Sequence, residues 1–433
     1  MKKYSNIERV IGKKFDSFPK LRRLIKNIYQ HINYWLFKEK DFEFQLHSLA
    51  KLVTPNDWAN VSLQNNDENE DLFFGYYDKS PWSSDMSKVI FHRLSNKEEI
   101  EIMIYDRDKN ARYTIGTSKT WNYQQGSMAQ WLPKSTGTKV VFNDLIEGNL
   151  ATRIIGIDNE TNVIIPWPIQ TLHPNGREAL TLNYKRLYRL RAQYGYSAKV
   201  DNFREDLALK DDGIWKVDLE TSDASLILNL DFLCNYSPRK EMKNSEHKIN
   251  HIMYSPSGEK FVFMHRWLGD KGKFSRLYVA DTNGRNIKLL LDERMVSHYF
   301  WRDEEHVLAW ARTKEKGDQY YLINVISGNW TIIGEGVLNI LGDGHPSFSP
   351  DKRWIVTDTY PDKSRKRHLL LYEVETGKLI TVGRFFAPMK FNWDTRVDLH
   401  PRWSPDGKMI SIDSCHEGKR YSYIIDVSNL LMC

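Results

Sequence analysis

The run Asp398-Leu399-His400-Pro401-Arg402-Trp403-Ser404-Pro405-Asp406-Gly407 decides the fold, because the phrase inside it recurs along the chain. His345-Pro346-Ser347-Phe348-Ser349-Pro350-Asp351, His298-Tyr299-Phe300-Trp301-Arg302-Asp303 and His251-Ile252-Met253-Tyr254-Ser255-Pro256-Ser257-Gly258 repeat its order of histidine, two residues, aromatic, turn. The histidines fall 47, 47 and 55 residues apart. That period suits one four-stranded blade per copy. Each turn leads into a strand-like run such as Phe261-Val262-Phe263 or Met409-Ile410-Ser411-Ile412, and then into further strands separated by tight turns such as Asp281-Thr282-Asn283-Gly284.

Weaker copies lie upstream. Ser80-Pro81-Trp82-Ser83-Ser84-Asp85 precedes Val89-Ile90-Phe91, Gln130-Trp131-Leu132-Pro133 precedes Val140-Val141-Phe142, and His173-Pro174-Asn175-Gly176-Arg177 precedes Ala179-Leu180-Thr181-Leu182. Seven copies predict an all-β, seven-bladed β-propeller, since a closed ring leaves little sheet edge exposed. The step from His173 to His251 is too long for one blade. An Arg/Tyr-rich insertion around residues 184–210, beginning Tyr184-Lys185-Arg186-Leu187-Tyr188-Arg189-Leu190-Arg191, accounts for the surplus, and insertions in repeat proteins often build the binding face. Residues 46–433 are assigned to the propeller and residues 1–45 to a short basic helical segment with an amphipathic pattern.

At 433 residues and 41% hydrophobic content the chain can bury a large core. Cys234, Cys415 and Cys433 are too few and scattered for a disulfide framework or a zinc knuckle, which suits a reducing compartment. No apolar run reaches membrane-spanning length and no secretory signal is recognisable, so a cytoplasmic location is expected. The charge is uneven. Residues 1–40 hold eleven Lys or Arg against Glu8, Asp16 and Glu39, while the whole chain carries only +6. A near-neutral body has no general field for nucleic acid, and no stacking platform accompanies the basic arm, so nucleic acid is excluded as a partner.

From Pro19 to Lys38, Leu21, Leu24, Ile25, Ile28, Ile32, Trp35 and Leu36 follow a helical period. Two readings stand. Either the apolar stripe docks on the propeller with the basic face solvated, or residues 1–40 contact an anionic membrane surface and hold the protein peripherally at its inner face.

The residue opening each phrase enters the innermost strand of its blade, so rotational symmetry predicts that His251, His298, His345 and His400 converge at one end of the central channel. Two uses are open for such a ring: a shared metal ion, or hydrogen bonds that lock blade to blade. Asp343 and Asp398 each stand two residues before a histidine and so face the same side of an extended segment. Each carboxylate can share a cation with its imidazole or fix the ring. His92, His173, His247, His265 and His416 are read as framework or surface residues.

These residues resemble a known family. Asp398-Leu399-His400-Pro401-Arg402-Trp403-Ser404-Pro405-Asp406-Gly407, with Ile412-Asp413-Ser414 and Glu417-Gly418, is similar to the last-blade motif of the oligogalacturonate lyases, and the resemblance spans residues 245–428. It implies a cytoplasmic seven-bladed propeller that binds manganese through propeller histidines and cleaves uronate oligosaccharides by β-elimination. His400 matches the second histidine of that family's His-Pro-His segment. Asp398 stands where the first is expected and Thr395 where a metal-ligating glutamine is expected. The Ser-Pro-Asp-Gly turn is shared with many propellers, including the TolB type. Gln124-Gln125-Gly126, Gln130-Trp131-Leu132-Pro133 and Tyr184-Lys185-Arg186-Leu187-Tyr188 are similar to a wider group of propellers found with surface-polysaccharide genes.

The expected partner is therefore an acidic oligo- or polysaccharide and the expected cofactor Mn²⁺ or another divalent cation, with His251, His345, His400 and Asp398 as metal ligands. Arg186 or Arg191 would clamp the uronate carboxylate bidentately, and Tyr188, Tyr194, Tyr196, Lys185 or His298 would move protons. A non-catalytic propeller that binds a glycan or a protein of a surface-polysaccharide assembly system is the alternative, because the fold hosts both uses. Glycoside hydrolysis by Asp343 and Asp398 is a third reading.

Overall fold

Each repeat contributes one apolar strand flanked by turns, and such strands are stable only when paired and covered on both faces. In the computed structural model they form seven antiparallel sheets. The structure describes residues 19–37, 44–53, 70–94, 96, 98–158, 161–197, 209–269 and 272–432. The basic run at 1–18 and part of the insertion lie outside the described residues.

Blade 1 comprises Asp71–Phe73, Lys88–Leu94, Ile100–Asp106 and Ala111–Ser118. Blades 2 to 5 follow the same order, each built from four consecutive strands, and begin at Gln130, Thr171, Glu246 and Val296. Blade 6 runs from Ser347–Phe348 to Leu379–Phe386 and gains a fifth strand, Phe44–Leu46, from the N-terminal side. Blade 7 takes Arg402–Trp403, Met409–Ser414 and Tyr421–Asp426 from the end of the chain and Lys51–Leu52 as its outer strand. Sharing a blade between distant segments closes the ring, and only the outermost strand of each blade is left as an edge.

The core is divided among the blade interfaces. Leu72, Trp82, Val89 and Phe91 of blade 1 pack on Met409 and Ile424 of blade 7, and Met253, Val262 and Met264 of blade 4 pack on Val296, Tyr299 and Trp301 of blade 5. Similar clusters fill the other junctions.

A polar device recurs beside this packing. The fifth residue of the second strand is His92 in blade 1, Asn143 in blade 2, Asp358 in blade 6 and Asp413 in blade 7. Each accepts from backbone N–H groups of the following blade: Ser127, Ile169, His400, and Phe74 with Gly75. Buried amides are thereby satisfied where the first strand is too short to pair them.

In each blade the first strand starts, and the second ends, at the same end of the channel. The insertion follows the second strand of blade 3 and contributes helix α2 (Tyr184–Leu190) and a turn at Ala192–Tyr194. It therefore emerges on the histidine side. Helix α1 (Pro19–Phe37) lies against the outer part of blade 6, where Tyr34 stacks on Phe386.

Candidate metal centre

The four repeat histidines do converge. His298 and His345 have ring centroids 4.2 Å apart, and His345 and His400 4.3 Å apart. All four rings lie within 6.5 Å of both Tyr76 and Tyr77, which fill the axis between them. The imidazoles are only 1 to 3% exposed.

The axial position stands three residues before the blade aromatic, which puts Lys79 and Met128 at the corresponding place in blades 1 and 2. Met128, His251 and His400 share a left-handed backbone, at φ of 59°, 54° and 45°. This conformation is uncommon outside glycine, so its return at equivalent positions marks a common local geometry that turns each side chain to the axis.

Hydrogen bonds fix the tautomers of two rings. His400 Nδ1 lies 2.8 Å from the carbonyl of Gly75, which can only accept, so Nδ1 carries the proton and Nε2 keeps its lone pair. His345 Nδ1 lies 2.8 Å from Asp358 Oδ1, which can only accept, so this Nδ1 also carries a proton. Both Nε2 atoms are buried without a hydrogen-bond partner. Burial, followed by the neighbouring His345, pushes the His400 pKa well below the ordinary range and keeps that ring neutral.

Asp398 completes a triad with these rings. Ligand atoms of His345, Asp398 and His400 all lie within 4.8 Å of one another, and all three residues are buried. Two imidazoles whose Nε2 atoms have no hydrogen-bond partner, with a carboxylate, are a donor set that suits Mn²⁺ and other divalent ions, so the residues present fit such an ion. Burial alone would raise the Asp398 pKa, but Arg396 at 2.7 Å and Arg367 at 2.8 Å hold it well below the usual carboxylate range. The carboxylate is charged and available, yet already shared with two guanidinium groups.

His251 belongs to the ring but not to the triad. Its imidazole stacks on Tyr299 at 4.4 Å and has Nε2 3.3 Å from Asp78 Oδ2. Asp78 in turn pairs with Lys79 at 2.5 Å. The expected pairing of Asp343 with His345 is also replaced: Asp343 reaches the preceding blade, where Oδ1 accepts from His298 Nδ1 at 2.9 Å. The His345 partner is Asp358, and one carboxylate thus orients His345 and holds the backbone of His400.

The insertion meets this mouth through its C-terminal turn. Arg396 donates to Asp398, to the Tyr194 hydroxyl at 3.0 Å and to Gln124 Oε1 at 3.0 Å, and Tyr194 packs edge-on against Tyr76. Arg191 lies 4.2 Å over the Tyr194 ring and is half-buried.

Two expectations for the insertion are corrected. Arg186 is buried in an ion pair with Asp212 at 2.5 Å, so its guanidinium is committed within blade 3. Tyr196 stacks on Tyr184 at 4.4 Å and accepts from Asn143, which makes it part of the core. Burial pushes its hydroxyl pKa above the ordinary tyrosine range. Tyr188 and Lys185 are half-buried on helix α2. Thr395 bonds the carbonyls of Lys390 and Asn392 and closes a local turn.

Residues that the repeat phrase did not reveal include Gly75, Tyr76, Tyr77, Asp358 and Arg396. Gly75 has φ +134°, and a Cβ there would sit 2.8 Å from the Gln125 carbonyl carbon. Only glycine lets this segment bring its carbonyl to His400.

No protein-family model matches the chain, and no curated protein matches it either. Solved structures do. An oligogalacturonate lyase from Vibrio parahaemolyticus aligns at TM-score 0.58 and 11% identity over 90% of this chain and 98% of that one. An oligogalacturonate lyase in complex with manganese aligns at 0.61 and 14%, over the same shares. TolB from Acinetobacter baumannii aligns at 0.40 and 12% over 79% of this chain and 78% of its own. At such identities the likeness to the lyases is one of fold: a seven-bladed propeller.

Proposed function

We propose that the chain is a divalent-metal-dependent lyase that cleaves uronate-containing oligo- or polysaccharide by β-elimination. The observation that carries this reading is the pair of unpartnered, buried Nε2 atoms of His345 and His400 beside the Asp398 carboxylate. The manganese complex of a lyase of the same fold supports it.

A divalent ion such as Mn²⁺ held by His345, His400 and Asp398 would supply a Lewis acid for the uronate carboxylate, which makes the C5 proton more acidic. Asp358 and the Gly75 carbonyl hold the two imidazoles in the ligating tautomer. Arg191, which makes no ion pair among the described residues, is the insertion guanidinium left to grip the carboxylate. His298 accepts the C5 proton at Nε2: its Nδ1 is fixed on Asp343, and burial keeps the ring pKa below its ordinary value and the ring neutral. The C4–O bond breaks as the C4=C5 double bond forms, and the leaving oxygen takes a proton from water.

The test is metal content of the purified protein, before and after Mn²⁺ addition, with a panel of uronate oligosaccharides followed by the ultraviolet absorbance of the unsaturated product. About one ion per chain and product formation are expected. A chain that stays metal-free in Mn²⁺ overturns the proposal.

A second reading, a non-catalytic propeller that binds an acidic glycan or a protein of a surface-polysaccharide assembly system, is favoured by the Tyr76–Tyr77 pair that occupies the ring centre. Oligouronate binding without turnover in the metal-loaded protein would select it.

A further inference from the structure

Helix α1 docks on the propeller by the side that its composition would assign to solvent. The stripe facing the protein is Asn27, Gln30, Asn33, Tyr34 and Phe37. Asn27 Oδ1 accepts from the Trp393 indole at 3.0 Å, Gln30 accepts from Asn392 at 2.9 Å, Asn33 is buried, and Tyr34 stacks on Phe386 at 5.6 Å. The spacing of three and four residues keeps these groups on one face.

The opposite stripe is Leu24, Ile25, Ile28, Ile32, Trp35 and Leu36, exposed by 38 to 80%. A surface helix of a water-soluble domain ordinarily turns such a stripe to the core. Here six large apolar side chains point outward, an arrangement that marks an interaction surface. Three and a half turns carry the stripe, while no helix among the described residues is long and apolar enough to cross a membrane.

We propose that this stripe inserts into the interface of an anionic lipid bilayer, with helix α1 lying in the membrane plane and the propeller attached through its Asn27–Phe37 face. The choice of occupant rests on charge. The stripe is embedded in residues 1–40, whose eleven Lys or Arg against three acidic residues give a local excess of basic charge that the rest of the chain does not share. A cationic segment with an apolar helical face, including one tryptophan, matches an acidic headgroup layer over acyl chains. An apolar protein partner would use the stripe but has no need of the basic excess.

The docking also fixes where the bilayer would sit. Asn392 and Trp393, which hold the helix, belong to the same connection as Arg396 and Asp398. Membrane attachment would therefore place the axial mouth beside the lipid surface. This inference is independent of any metal at that mouth.

The experiment is co-sedimentation of the full chain with phosphatidylcholine vesicles and with vesicles containing about one-third phosphatidylglycerol, at low and raised salt. Binding to the anionic vesicles that weakens with salt is expected. Ile28→Asp combined with Ile32→Asp should lower it by at least about tenfold while leaving the circular dichroism melting curve unchanged, because both side chains are already in water. Three outcomes overturn the proposal: no sedimentation with anionic vesicles, equal binding to phosphatidylcholine alone, or a concentration-dependent dimer, seen by sedimentation velocity, that the double substitution abolishes.

Discussion

Two groups of histidines meet inside this propeller, and strand Glu246–Tyr254 contributes to both. His251 joins the axial ring, while four residues earlier His247 meets His265 and Cys234 across blade 4. Either group looks like a ligand set by proximity. Their hydrogen bonds separate them.

His247 Nδ1 lies 3.0 Å from His265 Nε2, and Arg276 donates to His265 Nδ1 at 3.4 Å. The Met242 backbone engages His247 as well. No nitrogen of this pair lacks a partner, and the Arg276 cation, anchored on the carbonyls of Ser237 and Leu233, stands where it would repel a metal. Burial, with Arg276 next, pushes the His265 pKa well below its ordinary value. The axial ring instead leaves Nε2 of His345 and of His400 without partners. The axial triad and the blade 4 cluster are thus alike in spacing and differ in the partners of their ring nitrogens.

That contrast can be broken by substitution. His345→Ala with His400→Ala should reduce bound Mn²⁺ to background and turnover by about 10³-fold or more, whereas His247→Ala with His265→Ala should leave one ion per chain. Elemental analysis of both purified variants checks this. Equal metal loss in the two would erase the distinction.

Asp358 offers the next largest effect. It accepts from His345 N, His345 Nδ1 and His400 N, and Asp358→Ala strands three donors at a buried junction. A loss of about 2–4 kcal/mol is expected in urea unfolding, together with weaker Mn²⁺ binding as the His345 tautomer is released.

His265→Leu probes the other cluster. It should cost about 1–3 kcal/mol, because the Nε–H of Arg276 and one His247 nitrogen lose their partner, with metal content unaffected. Chelator treatment sharpens the comparison again: it should lower the Tm of the wild type and of this variant equally, and leave the axial double variant unchanged.

The smallest effect concerns Lys248, which lies between the two clusters on the shared strand and donates to Leu190 O of the insertion at 3.0 Å. Burial, then the nearby Arg191, holds its pKa down to about 7. The unfolded lysine binds a proton between about pH 7 and its ordinary range that the folded one does not, so stability contributed at this site rises as pH climbs through that window. Lys248→Met should flatten the slope of stability against pH there, measured by denaturant unfolding.

The blades were legible because strand and turn chemistry is local: His400 to Gly407 reads alone as a strand end and a turn. The inter-blade acceptors were less visible. His92, Asn143, Asp358 and Asp413 differ in type, and only counting five residues into each second strand shows them to be equivalent. Tyr76 and Tyr77 precede a degenerate phrase without a histidine. Lys79 at the axial position was their signal. For Arg186 and Arg191 the alternating pattern was the same, and only the buried carboxylate of Asp212 separated them. Helix α1 was legible as amphipathic, but which face docks depended on Asn392, Trp393 and Phe386, more than three hundred residues away.

By itself the sequence determined a seven-fold ring and the meeting of four histidines at one end of it, since equal repeats around an axis bring equivalent positions together. The tertiary structure decided which of them stand with the Asp398 carboxylate. A tautomer is set by the atom opposite the other ring nitrogen, and for His400 that atom is the carbonyl of Gly75, brought into place by closure of the ring.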